Sequence, residues 1–237
     1  MSNVRLFFPD NILENTISLL SKEHTHYVVN VMRMKRGSNI NFFNKKGEWL
    51  SEIIFLDRDR VEVKFLNKIR EPSTTSNIEL AICLVKKTPM EIILQKATEL
   101  GVDKITPIIS ERTEVKELNY DRAQKIVTEA TEQSNQLTPP DISKAINLKD
   151  FLENLDNGTK FLFADVNSQN SLQKKDVEGD ILKIILIGPE GDFSPNEREF
   201  ILAKANTTSF SMSKNILRSD TAVISAISLV NFINRTH

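Results

Sequence analysis

The chain has 237 residues, 40% hydrophobic and 27% charged, a balance typical of a globular protein able to bury a core. Its net charge of −1 argues against a surface that is basic throughout and binds nucleic acid everywhere. Its single cysteine excludes an internal disulfide. Its three histidines lack the spacing of a zinc site, so we expect no bound metal. No apolar run reaches the roughly 20 residues that cross a bilayer, and the N-terminus lacks the pattern of a signal peptide, so we expect a cytoplasmic protein without membrane attachment.

The N-terminal part is predicted to form a small β-barrel. Residues 5–8 are typical of a short strand, and residues 22–34 of a short helix that carries His26, Val29 and Met32 on related faces. After this helix, apolar and polar residues alternate in three runs separated by turn residues, which predicts an antiparallel meander. The three meander strands and the first strand together make the barrel.

The N-terminal part is also the basic part of the chain. Residues 1–72 hold 12 Lys and Arg against 9 Asp and Glu, a net charge of +3, whereas the remainder has a net charge of −4. Arg33, Lys35 and Arg36 are clustered there, and such side chains neutralise RNA phosphates. A short basic run is more often a solvated face, so charge alone leaves both interpretations open.

A linker and a second domain follow. Residues 71–76 contain no apolar side chain, which predicts a boundary between a domain at 1–71 and a domain at 77–237. Beyond it, predicted strands alternate with predicted helices, which indicates an α/β domain with a mainly parallel sheet covered on both faces. The strands are predicted at 78–85, 105–109, 160–166, 181–187 and 209–212, and the helices at 88–101, 121–134, 148–155, 195–205 and 220–233.

Two of these helices are predicted to start with a capping box, in which Ser or Thr at the N-cap is followed three residues later by Glu. Thr88 and Glu91 form one, and Ser194 and Glu197, with a Pro at the first helical position, form the other. We therefore assign both glutamates to capping rather than catalysis. Cys83 lies in an apolar run, which favours a buried small side chain over a nucleophile.

The final helix, 220–233, is apolar around most of its circumference and needs cover on more than one side. A second copy of the chain is the simplest source of that cover. The other possible source of cover is burial within the same domain, and the sequence does not decide between the two.

The loops at one edge of the predicted sheet are the candidate binding site, because ligands bind beyond the carboxyl ends of parallel strands. Three loops meet that description, at 86–88, 188–192 and 213–219. The middle loop holds Gly188 and Gly191, two of only seven glycines in the chain, which indicates that backbone lies close to a ligand there. The chain lacks the glycine-rich motifs of dinucleotide and ATP sites, which disfavours those ligands.

Several ordered motifs run through the chain at defined spacing. They comprise HYVVNVMR from His26 with Gly37, a Lys at 86 or 87 with Glu91 and QKATELGV from Gln95, Ser110–Arg112, Glu129-Ala130 with Glu132–Ser134, Ile187–Gly191, and Ile216–Arg218 before Thr221-Ala222. This ordered set resembles the signature of the RsmE family, SPOUT-class RNA methyltransferases, over nearly the whole chain. A set at compatible spacing is far more specific than any one motif.

The resemblance implies an N-terminal PUA-like β-barrel and a C-terminal SPOUT α/β domain with a deep trefoil knot. It also implies a homodimer that uses S-adenosylmethionine as methyl donor. The implied reaction is N3-methylation of a specific uridine in the decoding region of 16S rRNA, 1498 in the usual rRNA numbering, within the small ribosomal subunit.

The resemblance further implies that the loops at 187–192 and 212–218 form the knot and hold the donor. The implied donor contacts are Ile187, Gly188, Pro189, Glu190, Gly191, Met212, Ser213, Ile216 and Leu217. The implied RNA contacts are Arg33, Lys35, Arg36, Lys86, Lys87 and Gln133.

Methylation at uracil N3 needs no protein nucleophile. The base must be unpaired or turned out, N3 must lose its proton, and the negative charge that develops on the uracil oxygens must be stabilised. A planar Arg suits that charge better than a mobile Lys, so Arg218 is the first candidate and Arg112 the second. Glu190 or Asp220 is the candidate acceptor of the N3 proton.

Four sites depart from the family pattern. The family usually has Gly at the position of Asp192, Leu-Gly at Met212-Ser213, Glu at Asp220 and Arg at Gln136. Asp tolerates left-handed backbone better than most residues, so we expect the loop to keep its shape at position 192. Two alternatives stay open, a non-catalytic RNA-binding protein of ribosome assembly on the same scaffold and a methyltransferase for another RNA, such as tRNA.

Overall fold

The computed structural model describes residues 4–72 and 75–235, and its contacts divide the chain into two compact units. Residues 1–74 with 131–138 form the first, which we call the β unit, and residues 75–130 with 139–237 form the second, the α/β unit. The predicted linker includes residues 73 and 74, which lie outside the described residues.

The β unit is built on a sheet of five strands. Its elements are β1 (Val4–Phe7), β2 (Ile17–Leu19), α1 (Lys22–His26), β3 (Asn39–Asn44), β4 (Gly47–Leu56) and β5 (Val61–Arg70). The strand order is β1-β3-β4-β5-β2, and the predicted meander β3-β4-β5 is confirmed. The sheet is open, with β1 and β2 at its two edges, so the strand pairing alone does not close a barrel.

Aromatic side chains fill the core of the β unit. Phe42 is fully buried and packs edge-on against Phe8 and Phe65, with ring centroids 5.6 and 5.7 Å away. Such pairs contribute about 0.5–1.5 kcal/mol beyond the burial of their area. Side chains alternate between the two faces along each strand, so β3 and β5 place Phe42 and Phe65 on the same face of the sheet. This alternation is the physical basis of the apolar and polar pattern from which the meander is predicted.

The helix expected at 22–34 is confirmed as far as Val31, but only its first five residues are α-helical. The α-helix ends at His26, and the chain continues as one π-helical turn. The wider turn changes which side chains point inward. Val28 is therefore fully buried, whereas Val29 is half-buried and His26 and Met32 are exposed.

The α/β unit alternates strands and helices as predicted. Its elements are β6 (Ile78–Cys83), α2 (Lys87–Glu99), β7 (Lys104–Ile109), α3 (Tyr120–Gln133), β8 (Asp141–Ile142), β9 (Ile146–Asn147), α4 (Leu148–Glu153), β10 (Lys160–Ala164), α5 (Lys174–Val177), β11 (Lys183–Ile187), α6 (Pro195–Leu202), β12 (Thr207–Phe210) and α7 (Ser219–Arg235). By its contacts, the end of α3 from residue 131 belongs to the β unit.

The sheet of the α/β unit is parallel, in the order β12-β10-β11-β6-β7-β8, with β9 also paired to β7. Alternate side chains of each strand enter two apolar layers. Leu80 and Ile82 pack with α2, α3, α5 and α7, whereas Ala81 and Cys83 pack with α4 and α6. The predicted parallel sheet with helices on both faces is confirmed.

The capping box predicted at Thr88 is wrong. Helix α2 begins at Lys87, and no side chain caps its N-terminus. Glu91 instead accepts a hydrogen bond from Arg122 of α3, with Nε and Oε1 3.2 Å apart. The predicted end of the helix is confirmed, since Gly101 has the left-handed φ of 86° that terminates helices.

Strand β11 starts at Lys183, two residues later than predicted. Lys183 is 1% exposed, and its ammonium group donates to the carbonyls of Gly179 and Ile181 at 2.9 and 3.1 Å. Burial lowers the pKa of this lysine.

Over the residues that the structure describes, no helix is both long enough and apolar enough to cross a bilayer.

Candidate active site

The carboxyl ends of the parallel strands place the predicted site loops on one edge of the sheet. Strand β11 lies beside β6, and the chain runs from β6 to β7 on one side of this pair and from β11 to β12 on the other. Such a switch in strand order opens a crevice at the carboxyl edge. The loops after β6, β7, β11 and β12 all leave the sheet at this edge.

The loop after β11 is held in a defined shape by its own backbone. The N–H of Asp192 donates to the carbonyl of Pro189 at 3.0 Å, and Asp192 has a left-handed φ of 58°. Asp192 thus adopts the left-handed backbone that Asp tolerates better than most residues. The buried ring of Phe193 lies against Gly188, where an added Cβ would be 3.0 Å from the ring, so this loop tolerates a side chain at Gly188 poorly.

The capping box at the start of α6 is confirmed. The Ser194 hydroxyl accepts from the N–H of Glu197 at 3.3 Å, and the Glu197 carboxylate accepts from the N–H of Ser194 at 3.0 Å. The same carboxylate also accepts from the N–H of Glu111 at 2.8 Å. The loop after β11 therefore ends on a fixed helix start.

Arg112, a predicted catalytic residue, lies next to this loop. Its Nη1 donates to the carbonyls of Gly191 and Phe193 at 2.9 and 3.4 Å. Arg112 lines a cleft of about 80 Å³ together with predicted site residues from two loops: Lys86, Pro189, Glu190 and Gly191. It also lines a wider, open cleft of about 640 Å³ on the side of α6.

The loop after β12 holds the remaining predicted donor residues. Met212 and Leu217 pack on the same apolar layer as Ile187, whereas Ile216 is 88% exposed. The side chain of Arg218 is 72% exposed, and its Nε lies 3.8 Å from Oδ1 of Asp220. The Ser213 hydroxyl accepts from the N–H of residue 215 at 2.9 Å, which stabilises a local turn. Arg218 is thus placed on a different loop from Arg112.

The predicted RNA contacts are exposed in both units. In the β unit, Arg33 has a left-handed φ of 50° just after the π-helical turn, and Lys35 and Arg36 follow it on the surface. Gln133 is also exposed, as are Lys86 and Lys87 at the carboxyl edge of the other unit. The Lys86 ammonium lies 3.7 Å from the carboxylate of Glu114, an exposed pair.

Two contacts at this edge are not predicted from the sequence. Arg198 of α6 donates from Nη2 to the buried carboxylate of Asp165 at 2.6 Å, and this carboxylate raises the pKa of Arg198. Glu197 joins α6 to the turn after β7 through Glu111. The capping box signals the first half of the role of Glu197, but no local pattern reveals a partner 86 residues away.

Cysteine and metal chemistry find no support in the described residues. Cys83 is fully buried, and burial raises the pKa of its thiol to about 12, so the thiolate that attacks electrophiles is scarce at neutral pH. In the ranges 4–72 and 75–235, no three His, Cys, Asp or Glu side chains are grouped so as to hold a metal ion. The site offers arginines, carboxylates and loop backbone.

Comparison with known proteins gives the class of the chain. Residues 70–231 match the family described as RNA methyltransferase domain, and residues 20–66 match the RNA methyltransferase PUA domain. These two matches define the chain as an RNA methyltransferase with a PUA domain. Ribosomal RNA small subunit methyltransferase E of Rickettsia conorii is 35% identical over 97% of this chain and 95% of its own length. The chain belongs to this family, the RsmE family.

Solved structures agree with this assignment. Ribosomal RNA small subunit methyltransferase E from Neisseria gonorrhoeae, bound to S-adenosyl methionine, superposes with a TM-score of 0.90 at 27% identity and covers 98% of both chains. A protein from Legionella pneumophila in complex with the same cofactor gives a TM-score of 0.88 at 26% identity, and the alignment covers 99% of each chain. The PUA domain and the α/β methyltransferase domain are thus features of the family fold.

Proposed function

We propose that this chain transfers a methyl group from S-adenosylmethionine to N3 of a specific uridine in the decoding region of 16S rRNA. Family membership and the S-adenosylmethionine bound by the Neisseria relative support the donor and the RNA class. The observation that carries the proposal is the pair of loops after β11 and β12, which leave the same sheet edge and pack on one apolar layer through Ile187, Met212 and Leu217.

The residues at this edge fit the proposed donor. S-adenosylmethionine combines an apolar adenine ring with an amino group, a carboxylate and a sulfonium, so its site needs apolar surface and both signs of charge. The cleft beside the loop after β11, which at about 80 Å³ has room for one part of the donor, offers Leu84 and Val85 as apolar walls and Lys86 and Glu190 as opposite charges. When bound, the donor supplies an electrophilic methyl group.

The side chains of this chain would then handle charge and protons. Uracil N3 lies on the Watson–Crick edge, so the base must be turned out of any pair before it reacts. Arg218 is proposed to stabilise the negative charge on the uracil oxygens, and Glu190, an exposed carboxylate, to accept the N3 proton. Arg112 is proposed to serve the same site by fixing the loop after β11.

Further features belong to the same proposal. The domains are proposed to run over 1–71 and 77–237, the first curving into a PUA-like barrel and the second carrying a deep trefoil knot at the loops 187–192 and 212–218. The basic side chains Arg33, Lys35 and Arg36 are proposed to contact phosphates of the RNA. A cytoplasmic location follows from a ribosomal substrate. A crystal structure with bound donor tests the knot and the donor contacts together.

We expect the chain to sediment as a homodimer, twice its 27.0 kDa, because α7 presents apolar side chains to solvent. Ile224 and Phe232 are 36% and 66% exposed on this helix. Ile224→Glu should therefore shift the sedimenting species toward the monomer. The matched control is Ile69→Glu, at an apolar side chain of the β unit that is 47% exposed. Equal masses for both variants would rule out α7 as the interface.

Primer extension on 16S rRNA tests the target. N3-methylation removes the Watson–Crick donor of uracil, so reverse transcriptase should stop beside the modified uridine in normal cells and read through in cells that lack the gene. Returning the gene should restore the stop. A stop that persists without the gene would exclude this uridine and direct the search to another RNA.

A further inference from the structure

The carboxylate of Glu197 is shared between two loops of the α/β unit. One oxygen accepts from the N–H of Ser194 at 3.0 Å, which completes the cap of α6. The other accepts from the N–H of Glu111 at 2.8 Å, in the turn after β7. A cap needs only the first bond, so the second requires its own explanation.

A second link joins the same two loops in the opposite direction. Arg112, the neighbour of Glu111, donates from its side chain to the carbonyls of Gly191 and Phe193 at 2.9 and 3.4 Å. One link thus runs from the backbone of the turn to a side chain of α6. The other runs from a side chain of the turn to the backbone of the loop after β11. Together they hold the second half of that loop and the start of α6 against the turn.

The turn after β7 is a firm anchor for these links. Ser110 and Thr113 are 4% and 3% exposed, the N–H of Thr113 donates to the carbonyl of Ser110, and the N–H of Ser110 donates to the Thr113 hydroxyl at 3.0 Å. A hydrogen bond to a charged acceptor is stronger than a neutral one. The Glu197 carboxylate therefore transmits the position of this turn to the loop at 188–193, which includes the left-handed residue Asp192.

We infer that Glu197 is a positioning residue for the donor: it fixes the loop at 188–193 against the turn at 110–113 in the shape that binds S-adenosylmethionine. This rests on the proposed function, in which that loop holds the donor. Without the link the loop samples other shapes, and only the fraction in the competent shape binds, so donor affinity falls by that fraction. The chemical step at saturating donor is affected little.

The sharpest test removes the N–H of Glu111 and leaves Glu197 untouched. Residue 111 is the second residue of a turn closed by the bond from Thr113 to Ser110, a position that favours proline. Glu111→Pro should therefore preserve the turn, delete one donor, and raise the dissociation constant for S-adenosylmethionine about tenfold in calorimetry. Glu111→Ala keeps the N–H and should bind the donor as the unchanged chain does.

Steady-state kinetics separates positioning from general damage. Glu111→Pro should raise KM for the donor about tenfold and leave kcat within about threefold, since the loop is restored once donor is bound. Glu197→Ala carries the same expectation for the donor. Its matched control is Asp176→Ala, which removes the capping-box carboxylate of α5, where Asp176 accepts from the N–H of its own N-cap at 2.8 Å. That control should lower the melting temperature without changing donor affinity.

The outcomes separate this inference from the proposed function. If the unchanged chain fails to bind S-adenosylmethionine, both fall. If the unchanged chain binds and Glu111→Pro binds equally well, the positioning role is wrong while the proposed function stands. If Glu111→Pro does not fold, Glu197→Ala against Asp176→Ala decides, and equal donor affinities for that pair overturn the inference.

Discussion

Replacing Arg218 by alanine is expected to slow methyl transfer about a hundred- to a thousandfold, the usual effect of removing one group that stabilises a developing oxyanion. The expectation follows from the difference between the two candidate arginines. Arg112 already donates to two loop carbonyls, whereas the side chain of Arg218 is 72% exposed and nearest to Asp220 at 3.8 Å. Arg218 is therefore the guanidinium available to a substrate oxygen.

Single-turnover methylation of small ribosomal subunits at saturating donor measures this effect. Donor affinity should stay within about twofold, because Arg218 acts on the RNA base in this mechanism. Arg218→Lys keeps the charge but not the planar fork and should recover only part of the rate. Wild-type turnover by Arg218→Ala would eliminate Arg218 from the mechanism, and a loss of donor affinity instead would assign it to the donor site.

Arg112→Ala should give the opposite pattern. Its guanidinium fixes the loop carbonyls of Gly191 and Phe193, so its loss should weaken donor binding more than it slows the chemical step. Both arginines lie at the same edge of the sheet, so Arg112→Ala and Arg218→Ala are controls for each other. Arg218 is 72% exposed and its Nε lies 3.8 Å from Asp220, and ion pairs at the surface contribute about 0–1 kcal/mol, so Arg218→Ala should leave the melting temperature nearly unchanged.

Local signals explain most of what the sequence predicts correctly. Strand β11, the loop at 188–193 and the capped start of α6 follow one another in 20 residues, and each is specified by its own residue types: apolar and β-branched, then Gly and Pro, then Ser and Glu. Because these signals act within a few residues of each other, no knowledge of the rest of the fold is needed. The end of α2 at Gly101 was predictable for the same reason.

The errors arise where a distant element decides. Thr88 and Glu91 have the spacing of a capping box, but Arg122 of α3 supplies a partner for Glu91, and the N-cap is Lys86, two residues before Thr88. Strand β2 has three residues, too few to form a recognisable strand pattern, so only its pairing with β5 identifies it as a strand. The link between Glu197 and Glu111 likewise joins residues that are unrelated in sequence. Tertiary contacts of this kind leave no periodicity to detect.

In residues 131–138, which belong to the β unit, distant contacts again decide roles that the sequence alone does not reveal. The family resemblance implies that Gln133 contacts RNA, and its side chain is exposed. Its neighbours have structural roles, however: the carbonyls of Glu132 and Gln136 both accept from the Arg5 guanidinium at 2.9 Å. Arg5 in turn donates to the carboxylate of Glu48 at 3.0 and 3.1 Å. A motif of the family signature thus forms part of a charge network in this unit.

Removal of the Glu48 carboxylate should be the most destabilising single change in that network. Glu48 is 4% exposed and accepts from both Arg5 and Asn41, with Arg70 3.6 Å away. Deleting one partner of a buried ion pair leaves uncompensated charge and costs about 3–5 kcal/mol. We expect Glu48→Ala to lose that amount from the free energy of unfolding of the β unit, because the Arg5 guanidinium then stays half-buried without its carboxylate.

Urea unfolding followed by tryptophan fluorescence measures this loss in the right unit, since Trp49 is the single tryptophan of the chain and is 6% exposed in β4. Glu62→Ala is the control, because its partner Arg60 lies on the surface and an exposed pair contributes less than about 1 kcal/mol. Equal urea midpoints for the two variants would contradict the network. A loss confined to Glu48→Ala would show that the buried charges around Arg5, rather than ion pairs at the surface, stabilise the β unit.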